Sequence, residues 1–394
     1  MRAFLVSMAV LLGSDALIAS GRLRGCRIGV VCNPASIDAS FRHITDRLAA
    51  CPNVTLAAIF GPQHGFRADV QDNMVETGHA RDPLRDVPVY SLYSETREPT
   101  AEMLANLDVL VIDLQDIGAR IYTFIHTMAH CLRAARAHGV PVIVCDRPNP
   151  IGGAQVEGPM LVPGYESFVG LFPVPMRHGM TIGELARFFN DEGGIGAALT
   201  VEPMAGWQRR MYFDETGVPW VMPSPNMPTP DTAIVYPGTV LVEGTNASEG
   251  RGTTRPFEIV GAPWVDGERL DRRMAAHNLP GVHFRPLAFE PTFQKHAHQA
   301  CGGCQIHVLD RRVFRPVETG VALVAEIRRA DPARFAWRQP PYEYERVRMP
   351  IDILAGSADL RSEIEAATPV NTIARAWQPG VERFLRTRER FLLY

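Results

Sequence analysis

The polar loops of this sequence combine carboxylic acids with arginines, which are groups that cleavage of a sugar linkage requires. Breaking a glycosidic bond takes a protonated acid beside the leaving oxygen and a second group that attacks or stabilises the sugar cation. The glycine-rich segment 243–254 supplies Glu243 and Glu249 as acids. Arg251 beside them could bind a substrate carboxylate through two parallel hydrogen bonds, and the glycines let the backbone approach a ligand. This segment is therefore the first candidate for a catalytic site.

A second group of polar side chains lies within or directly after short apolar runs that are typical of strands. The group consists of Gln63, His64, Arg67, Tyr90, Asp113, Gln115, Asp116, Arg120, Asp146 and Asn149. Ligands of open parallel sheets bind beyond the carboxyl ends of the strands, so we predict that these residues share one rim. Any one of the acids could instead cap a helix or pair with an arginine such as Arg147. His64 could be an acid, a base or only a hydrogen-bonding residue.

Several common enzyme motifs are absent from the sequence. It contains no G-x-G-x-x-G after a strand, no Walker loop, no G-x-S-x-G elbow, no S-x-x-K and no H-E-x-x-H. These absences disfavour dinucleotide oxidoreductases, P-loop enzymes, α/β hydrolases, serine β-lactamases and zincins. Cys301 and Cys304 form only half of a zinc knuckle, and we interpret them as a turn entering a strand. We therefore predict neither a metal nor an organic cofactor.

Alternating strand and helix patterns position these residues in the first half of the chain. Apolar runs rich in valine and isoleucine occur at Ile28–Cys32, Val54–Phe60, Val89–Leu92, Val109–Ile112 and Val140–Cys145. Helical patterns lie between some of them, and one ends at Gly139. A further helix begins at Thr181, where Glu184 can complete a capping box. The alternation predicts an α/β fold built on a Rossmann-like parallel sheet.

The second half of the chain has a different pattern. Segment Pro219–Trp264 is rich in proline and glycine, and its aromatic residues favour a long ordered loop over a flexible linker. Strand-like runs follow at Val282–Phe289 and Gln305–Leu309, and helical patterns at Glu318–Arg329, Leu360–Ala367 and Val370–Arg388. We predict a Rossmann-like domain over residues 1–226, a smaller α+β domain over residues 227–394, and an active-site cleft between them.

Composition narrows the class of partner. Forty lysine and arginine residues against 43 acidic residues give a net charge of −3 without charge blocks, which disfavours nucleic-acid binding. The seven cysteines are scattered and odd in number, as in reduced proteins. No run approaches the roughly 18 apolar residues of a membrane span. We expect a cytoplasmic protein with a small-molecule partner, and the sequence does not indicate its oligomeric state.

The start of the chain allows two interpretations. Met1 and Arg2 followed by the apolar run from Ala3 to Gly13 resemble a secretory signal. However, Asp15 follows closely and no A-x-A cleavage site is present. We therefore predict an amphipathic first helix of the fold instead.

Six motifs occur in order along the chain. They are GPQHG at 61–65, PVYSLY at 88–93, DLQDIGAR at 113–120, DRPNP at 146–150, PSPNMP at 223–228, and EGTN at 243–246 with GRGTT at 250–254. Together they resemble the exo-β-N-acetylmuramidase family over nearly the whole chain. The resemblance implies release of N-acetylmuramic acid from the non-reducing ends of peptidoglycan fragments during cell-wall recycling, with a carbohydrate or muropeptide substrate. It also makes Asn226 and Asn246 candidate substrate-binding residues.

This chain departs from that family at one position. The family has glutamate, proposed to be catalytic, in the third position of GPxHG, and this chain has Gln63. A glutamine cannot exchange a proton as a carboxyl group does. Three hypotheses follow. Another carboxylate, Glu249 or Glu243 first, takes the role; Gln63 orients the acetamido group of the substrate in a substrate-assisted reaction; or the protein binds the sugar without cleaving it.

The lactyl carboxylate of the substrate would also need a cationic partner. Candidates are Arg67, Arg120, Arg251 and Lys295, and the fork geometry of arginine favours the first three.

Overall fold

The structure, a computed structural model, describes residues 9–394. Its strands are β1 (Arg27–Cys32), β2 (Thr55–Gly61), β3 (Ala80–Asp82), β4 (Val87–Ser91), β5 (Val109–Asp113), β6 (Val142–Cys145), β7 (Glu157–Met160), β8 (Pro175–Arg177), β9 (Leu199–Glu202), β10 (Ile259–Ala262), β11 (Val282–Phe289) and β12 (Cys301–Val308). Seven of them form a sheet in the order β3-β4-β2-β1-β5-β6-β9, with only β3 antiparallel to its neighbour. Each of the five predicted apolar runs overlaps one of these strands, so the Rossmann-like sheet is confirmed.

The central strands of this sheet are buried on both faces. On β5, Leu110 and Ile112 belong to one hydrophobic core, whereas Val109 and Val111 belong to another. Successive side chains of a strand point to opposite faces, so a strand that is covered on both sides has a continuous apolar sequence. This burial explains why runs of valine and isoleucine predicted the strands.

Helices cover the sheet and build most of the second half. They are α1 (Gly13–Ser20), α2 (Ile44–Ala49), α3 (Ala101–Leu104), α4 (Phe124–His138), α5 (Ile182–Asp191), α6 (Pro230–Thr239), α7 (Gly267–Ala275), α8 (Pro316–Ala330), α9 (Pro350–Ala355), α10 (Asp359–Glu365), α11 (Val370–Ala376) and α12 (Gln378–Arg388). Gly139 ends α4 in the left-handed conformation, and Thr181 with Glu184 forms the predicted capping box of α5. Within residues 9–394, no helix is both long enough and apolar enough to cross a membrane.

Only the end of the apolar run that was predicted as the first helix lies within the described residues, and residues 3–8 of the run lie outside them. Leu11 forms a β-bridge with Ala205, and α1 begins at Gly13. The Gly13 N–H donates to the carbonyl oxygen of Asp146 and fixes this end of the helix.

The second half contains a smaller antiparallel sheet in the order β10-β12-β11, which confirms an α+β arrangement there. The turn predicted at Cys301–Cys304 was wrong, because these residues lie in β12. A Cβ on Gly303 would lie 2.1 Å from the carbonyl oxygen of Val260, so glycine here permits close approach of two strands. The helix predicted over Val370–Arg388 is two helices, and Pro379 near the start of α12 marks the break.

Segment Pro219–Trp264 is only partly a loop, which corrects the prediction of a loop over its whole length. Thr229 caps α6 and Pro230 occupies its first turn, so proline begins a helix here. A 3₁₀-helix, Val240–Gly244, follows α6 directly and carries Glu243. The proline and glycine content that suggested a loop therefore reflects helix starts and close backbone contacts.

Helices α6 and α8 cross in backbone contact. A Cβ on Gly238 would lie 1.7 Å from the carbonyl oxygen of Pro316, and a Cβ on Gly320 would lie 2.1 Å from the carbonyl oxygen of Gly238. Backbones can approach this closely only where a side chain is missing. The crossing holds the end of α6, and with it Glu243, against α8.

Replacing Gly320 with alanine should therefore destabilise the protein. We expect Gly320→Ala to lower the free energy of unfolding by about 1–3 kcal/mol or more, because the added methyl group overpacks the crossing. Denaturant unfolding measures this change. Gly78→Ala is the matched control, since a Cβ there meets nothing within 4 Å, and its effect should stay within about 0.5 kcal/mol. Equal stability of the two variants would contradict the close crossing.

Candidate active site

One cavity lies where the loops beyond the parallel sheet meet the second half of the chain. Its volume is about 40 Å³. Its polar lining includes Gln63, His64 and Asn226 from the first half, and Glu243, Arg251 and Glu343 from the second half. We call it the central cavity. It lies at the predicted cleft, and it gathers candidate residues that are far apart in the sequence.

The side chain of Gln63 contacts a glutamate that the second half supplies. Gln63 Nε2 donates to Glu343 Oε1 at 3.0 Å, and Gln63 Oε1 accepts from the hydroxyl of Thr123 at 2.8 Å. The hydroxyl of Tyr93 donates to the other oxygen of Glu343 at 2.8 Å. Glu343 is only 3% exposed. The position that holds an acid in the resembled family therefore hydrogen-bonds to a different, buried acid in this chain.

Glu343 is presented by a tight turn between α8 and α9. Glu343 and Tyr344 have φ angles of 44° and 68°, in the left-handed region. This conformation costs about 1–3 kcal/mol for a non-glycine residue and persists where the surroundings enforce it. The ring of Tyr344 packs edge-on against Tyr93, and the guanidinium of Arg97 lies 3.3 Å from its centroid. These contacts hold the turn, and the turn holds the Glu343 carboxyl in the cavity.

The surroundings of Glu343 favour its protonated form. Burial raises the pKa of Glu343 above its usual range, and the negative charge of Glu243 adds to this effect. Hydrogen bonds from Tyr93 and Gln63, together with the charge of Arg251, act in the opposite direction without reversing it. A carboxyl group with a raised pKa keeps its proton to higher pH than an exposed glutamate does. Glu343 can therefore serve as a proton donor.

Four charged side chains, Glu243, Glu249, Arg251 and Lys295, form what we call the buried ion cluster. An Nη2–H of Arg251 donates to Glu243 at 2.6 Å, and Arg251 Nε lies 3.2 Å from Glu249. Lys295, the only lysine in the sequence, donates to Glu249 at 2.9 Å. The hydroxyl of Tyr342 donates to the second oxygen of Glu243 at 2.6 Å. Two cations balance two carboxylates, as burial of charge requires.

Lys295 also organises the backbone of the glycine-rich segment. Its ammonium donates to the carbonyl oxygens of Val242 at 3.0 Å and Ala247 at 2.9 Å. Burial acts to raise the pKa of Glu249, but the charges of Lys295 and Arg251 outweigh it and hold that pKa below its usual range. Glu249 is therefore ionised, and it does not line the central cavity. Its role as the acid stays a prediction, which these contacts do not favour.

His64 lines the central cavity as a neutral ring. Burial lowers its pKa to about 4. Its Nδ1 lies 2.8 Å from the carbonyl oxygen of Val70, which can only accept, so Nδ1 carries the proton. Nε2 is then free of a proton and can accept a hydrogen bond. His64 is not a cation at neutral pH.

Several residues predicted to bind substrate have partners in the protein instead. Asp113 pairs with Arg147, Gln115 donates to the carbonyl oxygen of Pro148, Asp116 accepts from the Gly118 N–H, Arg120 donates to the carbonyl oxygens of Pro159, Val174 and Leu354, Asp146 accepts from the Gly183 N–H, Asn149 donates to the carbonyl oxygen of Met180, and Asn246 bonds to residues 334 and 336. Arg67 and Tyr90 line a separate depression beside β4. Asn226 and Arg251 are the predicted substrate-binding residues that line the cavity.

Sequence reasoning missed Glu343, Tyr342 and Thr123. The available signal was the run PPYEYE at 340–345, in which aromatic and acidic residues alternate after two prolines in a segment without helical periodicity. Such a loop is constrained, and constrained loops often carry function. Its partner Gln63 lies 280 positions earlier than Glu343, a contact that sequence spacing does not reveal.

The protein is a two-domain α/β protein, with a parallel sheet in one half and a smaller antiparallel sheet in the other. Carboxyl groups line the cavity where the two halves meet, and such side chains are typical of a glycosidase. Residues 28–231 match the N-terminal domain, and residues 234–394 the C-terminal domain, of the exo-beta-N-acetylmuramidase NamZ family. The chain belongs to this family, which confirms the resemblance. The predicted domain boundary between residues 226 and 227 stays a prediction.

Known relatives share both sequence and fold over nearly the full length. The peptidoglycan beta-N-acetylmuramidase NamZ of Bacillus subtilis is 46% identical over 373 residues, which are 95% of this chain and 88% of the relative. Crystal structures of two DUF1343 family proteins from Bacteroides fragilis are similar, with 34% identity and a TM-score of 0.88 for one, and 28% and 0.76 for the other. Both matches cover 98% of this chain and 99% of the other chain.

The buried ion cluster predicts a large effect for its single lysine. We expect Lys295→Met to lower the free energy of unfolding by about 3–5 kcal/mol, because it leaves Glu249 buried without its ammonium partner. Denaturant unfolding measures the loss. The control is Arg269→Met on α7, whose side chain is 73% exposed and should matter by no more than about 0.5 kcal/mol. If Lys295→Met lowers the free energy of unfolding by no more than the control does, the buried ion cluster does not stabilise the glycine-rich segment.

Proposed function

We propose that this protein is a glycoside hydrolase that releases N-acetylmuramic acid from the non-reducing ends of peptidoglycan fragments. The observation that carries the proposal is the central cavity, which is lined by both Glu243 and Glu343. Glycosidic cleavage uses two such groups, one as an acid and one facing the sugar cation. The Bacillus subtilis relative is a peptidoglycan beta-N-acetylmuramidase, which favours an enzyme over the non-catalytic sugar-binding alternative.

Arg251 is the proposed partner of the lactyl carboxylate, the group that distinguishes N-acetylmuramic acid from N-acetylglucosamine. Among residues 9–394, it is the only arginine or lysine that lines the central cavity. Its Nε lies within ion-pair distance of Glu249 but makes no hydrogen bond within the described part of the chain. Glu243, bound to Arg251, is the carboxylate proposed to face the developing sugar cation.

We further propose that the protein works in the cytoplasm, on fragments that return during cell-wall recycling. The support is the state of the cysteines. All seven are free thiols in the structure, and four of those in strands or helices, Cys32, Cys131, Cys145 and Cys304, are fully buried. Unpaired thiols are usual in a reducing compartment.

A chromogenic β-N-acetylmuraminide tests the proposed function directly. We expect wild-type protein to hydrolyse the muraminide and to hydrolyse the matching β-N-acetylglucosaminide much more slowly, because only the muraminide carries the lactyl carboxylate. Release of the chromophore measures both rates. Absence of turnover on both compounds, together with measurable binding of a muramyl disaccharide, would contradict the hydrolase and favour a binding protein.

Arg251→Ala tests the proposed recognition of the lactyl group. The inhibition constant of N-acetylmuramic acid should rise about 10- to 100-fold, which is the worth of a charge-assisted hydrogen bond. The constant of N-acetylglucosamine, which lacks the lactyl group, should change little. Arg255→Ala is the control, because Arg255 lies nearby but is 44% exposed and pairs with Glu258. Equal weakening of both sugars by Arg251→Ala would refute the assignment.

A further inference from the structure

We infer that Glu343 is the catalytic residue that protonates the leaving glycosidic oxygen in this chain, and that Gln63 is the positioning residue that holds it. This inference rests on the proposed function. The GPQHG motif of this chain has no carboxyl group in its third position, and the turn at 342–345 supplies the acid in its place.

Glu343 differs from the other acids of the site in the kind of partner that it has. Glu243 is bound to Arg251, and Glu249 is bound to both Lys295 and Arg251. Within residues 9–394, no arginine, lysine or histidine forms an ion pair with Glu343. Its partners are the amide of Gln63 and the hydroxyl of Tyr93, which are neutral donors. An acid must hold a proton before it can give one, and a nearby cation would remove that proton.

The charges around the cavity also favour the protonated form of Glu343. The buried ion cluster already pairs two cations with two carboxylates. An ionised Glu343 would add an uncompensated charge in a space where its side chain is almost fully buried, and burying an unpaired charge is costly. The charged or titratable groups that face it are Tyr93, Glu243, Arg251 and Tyr342, and their combined effect with burial leaves the pKa of Glu343 raised.

Gln63 is oriented so that it can only donate to Glu343. The hydroxyl of Thr123 donates to the amide oxygen of Gln63, which leaves the NH₂ group directed at Glu343. This bond holds the carboxyl in one place while it is protonated. It also stabilises the carboxylate that remains after proton transfer, as does the hydroxyl of Tyr93. A glutamine at position 63 thus suits a positioning residue, although it cannot itself be the acid.

The proposed step transfers one proton and breaks one bond. The O–H proton of Glu343 passes to the glycosidic oxygen while the bond between that oxygen and the anomeric carbon breaks. The rest of the glycan leaves as an alcohol, and Glu343 becomes a carboxylate. Over the whole reaction one water is consumed, because its oxygen bonds to the anomeric carbon and one of its protons restores the acid form of Glu343.

Two substrates with the same sugar and different leaving groups test the role of Glu343. A nitrophenyl muraminide needs little protonation to leave, whereas a disaccharide of N-acetylmuramic acid and N-acetylglucosamine depends on it. We expect Glu343→Gln to lower kcat/KM for the disaccharide about 10²- to 10⁴-fold and for the nitrophenyl compound by less than about tenfold. The ratio of the two losses does not depend on the fraction of the variant that folds.

The pH profile adds a second readout. The decline of kcat/KM at high pH should disappear in Glu343→Gln, because the group whose deprotonation causes it is gone. In Gln63→Glu the decline should move to higher pH, since a second carboxyl beside Glu343 raises its pKa. An unchanged decline in Gln63→Glu would contradict direct contact between position 63 and the acid. Glu345→Gln, in the same turn but outside the central cavity, is the control and should keep wild-type rates on both substrates.

These experiments distinguish failure of the Glu343 assignment from failure of the proposed muramidase function. Equal losses on both substrates in Glu343→Gln, or an unchanged decline at high pH, would overturn the assignment of Glu343 while leaving the muramidase activity established. Wild-type protein that hydrolyses neither muraminide would overturn the proposed function, and the inference with it. A selective loss on the disaccharide in Glu249→Gln, with none in Glu343→Gln, would return the acid role to Glu249.

Discussion

Burial of charge at the junction of the two halves is the constraint on which the site depends. A glutamate can be buried as an anion only where cations and hydrogen bonds replace its water. Glu243 and Glu249 meet this condition through Arg251 and Lys295, and the glycine-rich segment folds around the Lys295 ammonium. In the described part of the chain no further cation pairs with Glu343, which is held by neutral donors. The same electrostatic rule therefore pairs two carboxyl groups with cations and leaves the third as a candidate acid.

Backbone packing gives this charge arrangement its rigidity. The first half places Gln63 and Thr123 beyond the parallel strands, and Gln63 contacts the Glu343 carboxyl only because the second half extends its turn over it. The crossing at Gly238 and Gly320 holds the helix that leads to Glu243. Because each half supplies part of the lining, the central cavity exists only in the assembled chain.

The success of sequence reasoning varied with the kind of contact that it had to anticipate. Strands buried on both faces were predicted well, since a short, continuous run of valine and isoleucine is typical of such strands. Helix ends at Gly139 and Thr181 were predicted because capping is local. The errors lie at Pro219–Trp264 and Cys301–Cys304, where glycine and proline serve helix starts and the close approach of distant backbones rather than turns. Local composition cannot distinguish these uses of the same residues.

The sequence by itself determined the buried strands of the parallel sheet, the order of the motifs and the family, because apolar runs and motif order are properties of the chain alone. Tertiary structure decided which acids reach the central cavity. Asp113 and Asp146 follow strands as the candidate acids were expected to, yet an arginine and a helix start bind them. Glu343 was not anticipated, because its contact with Gln63 spans 280 positions. Whether a carboxyl keeps its proton depends on burial and on neighbouring charges, and both exist only after the chain has folded.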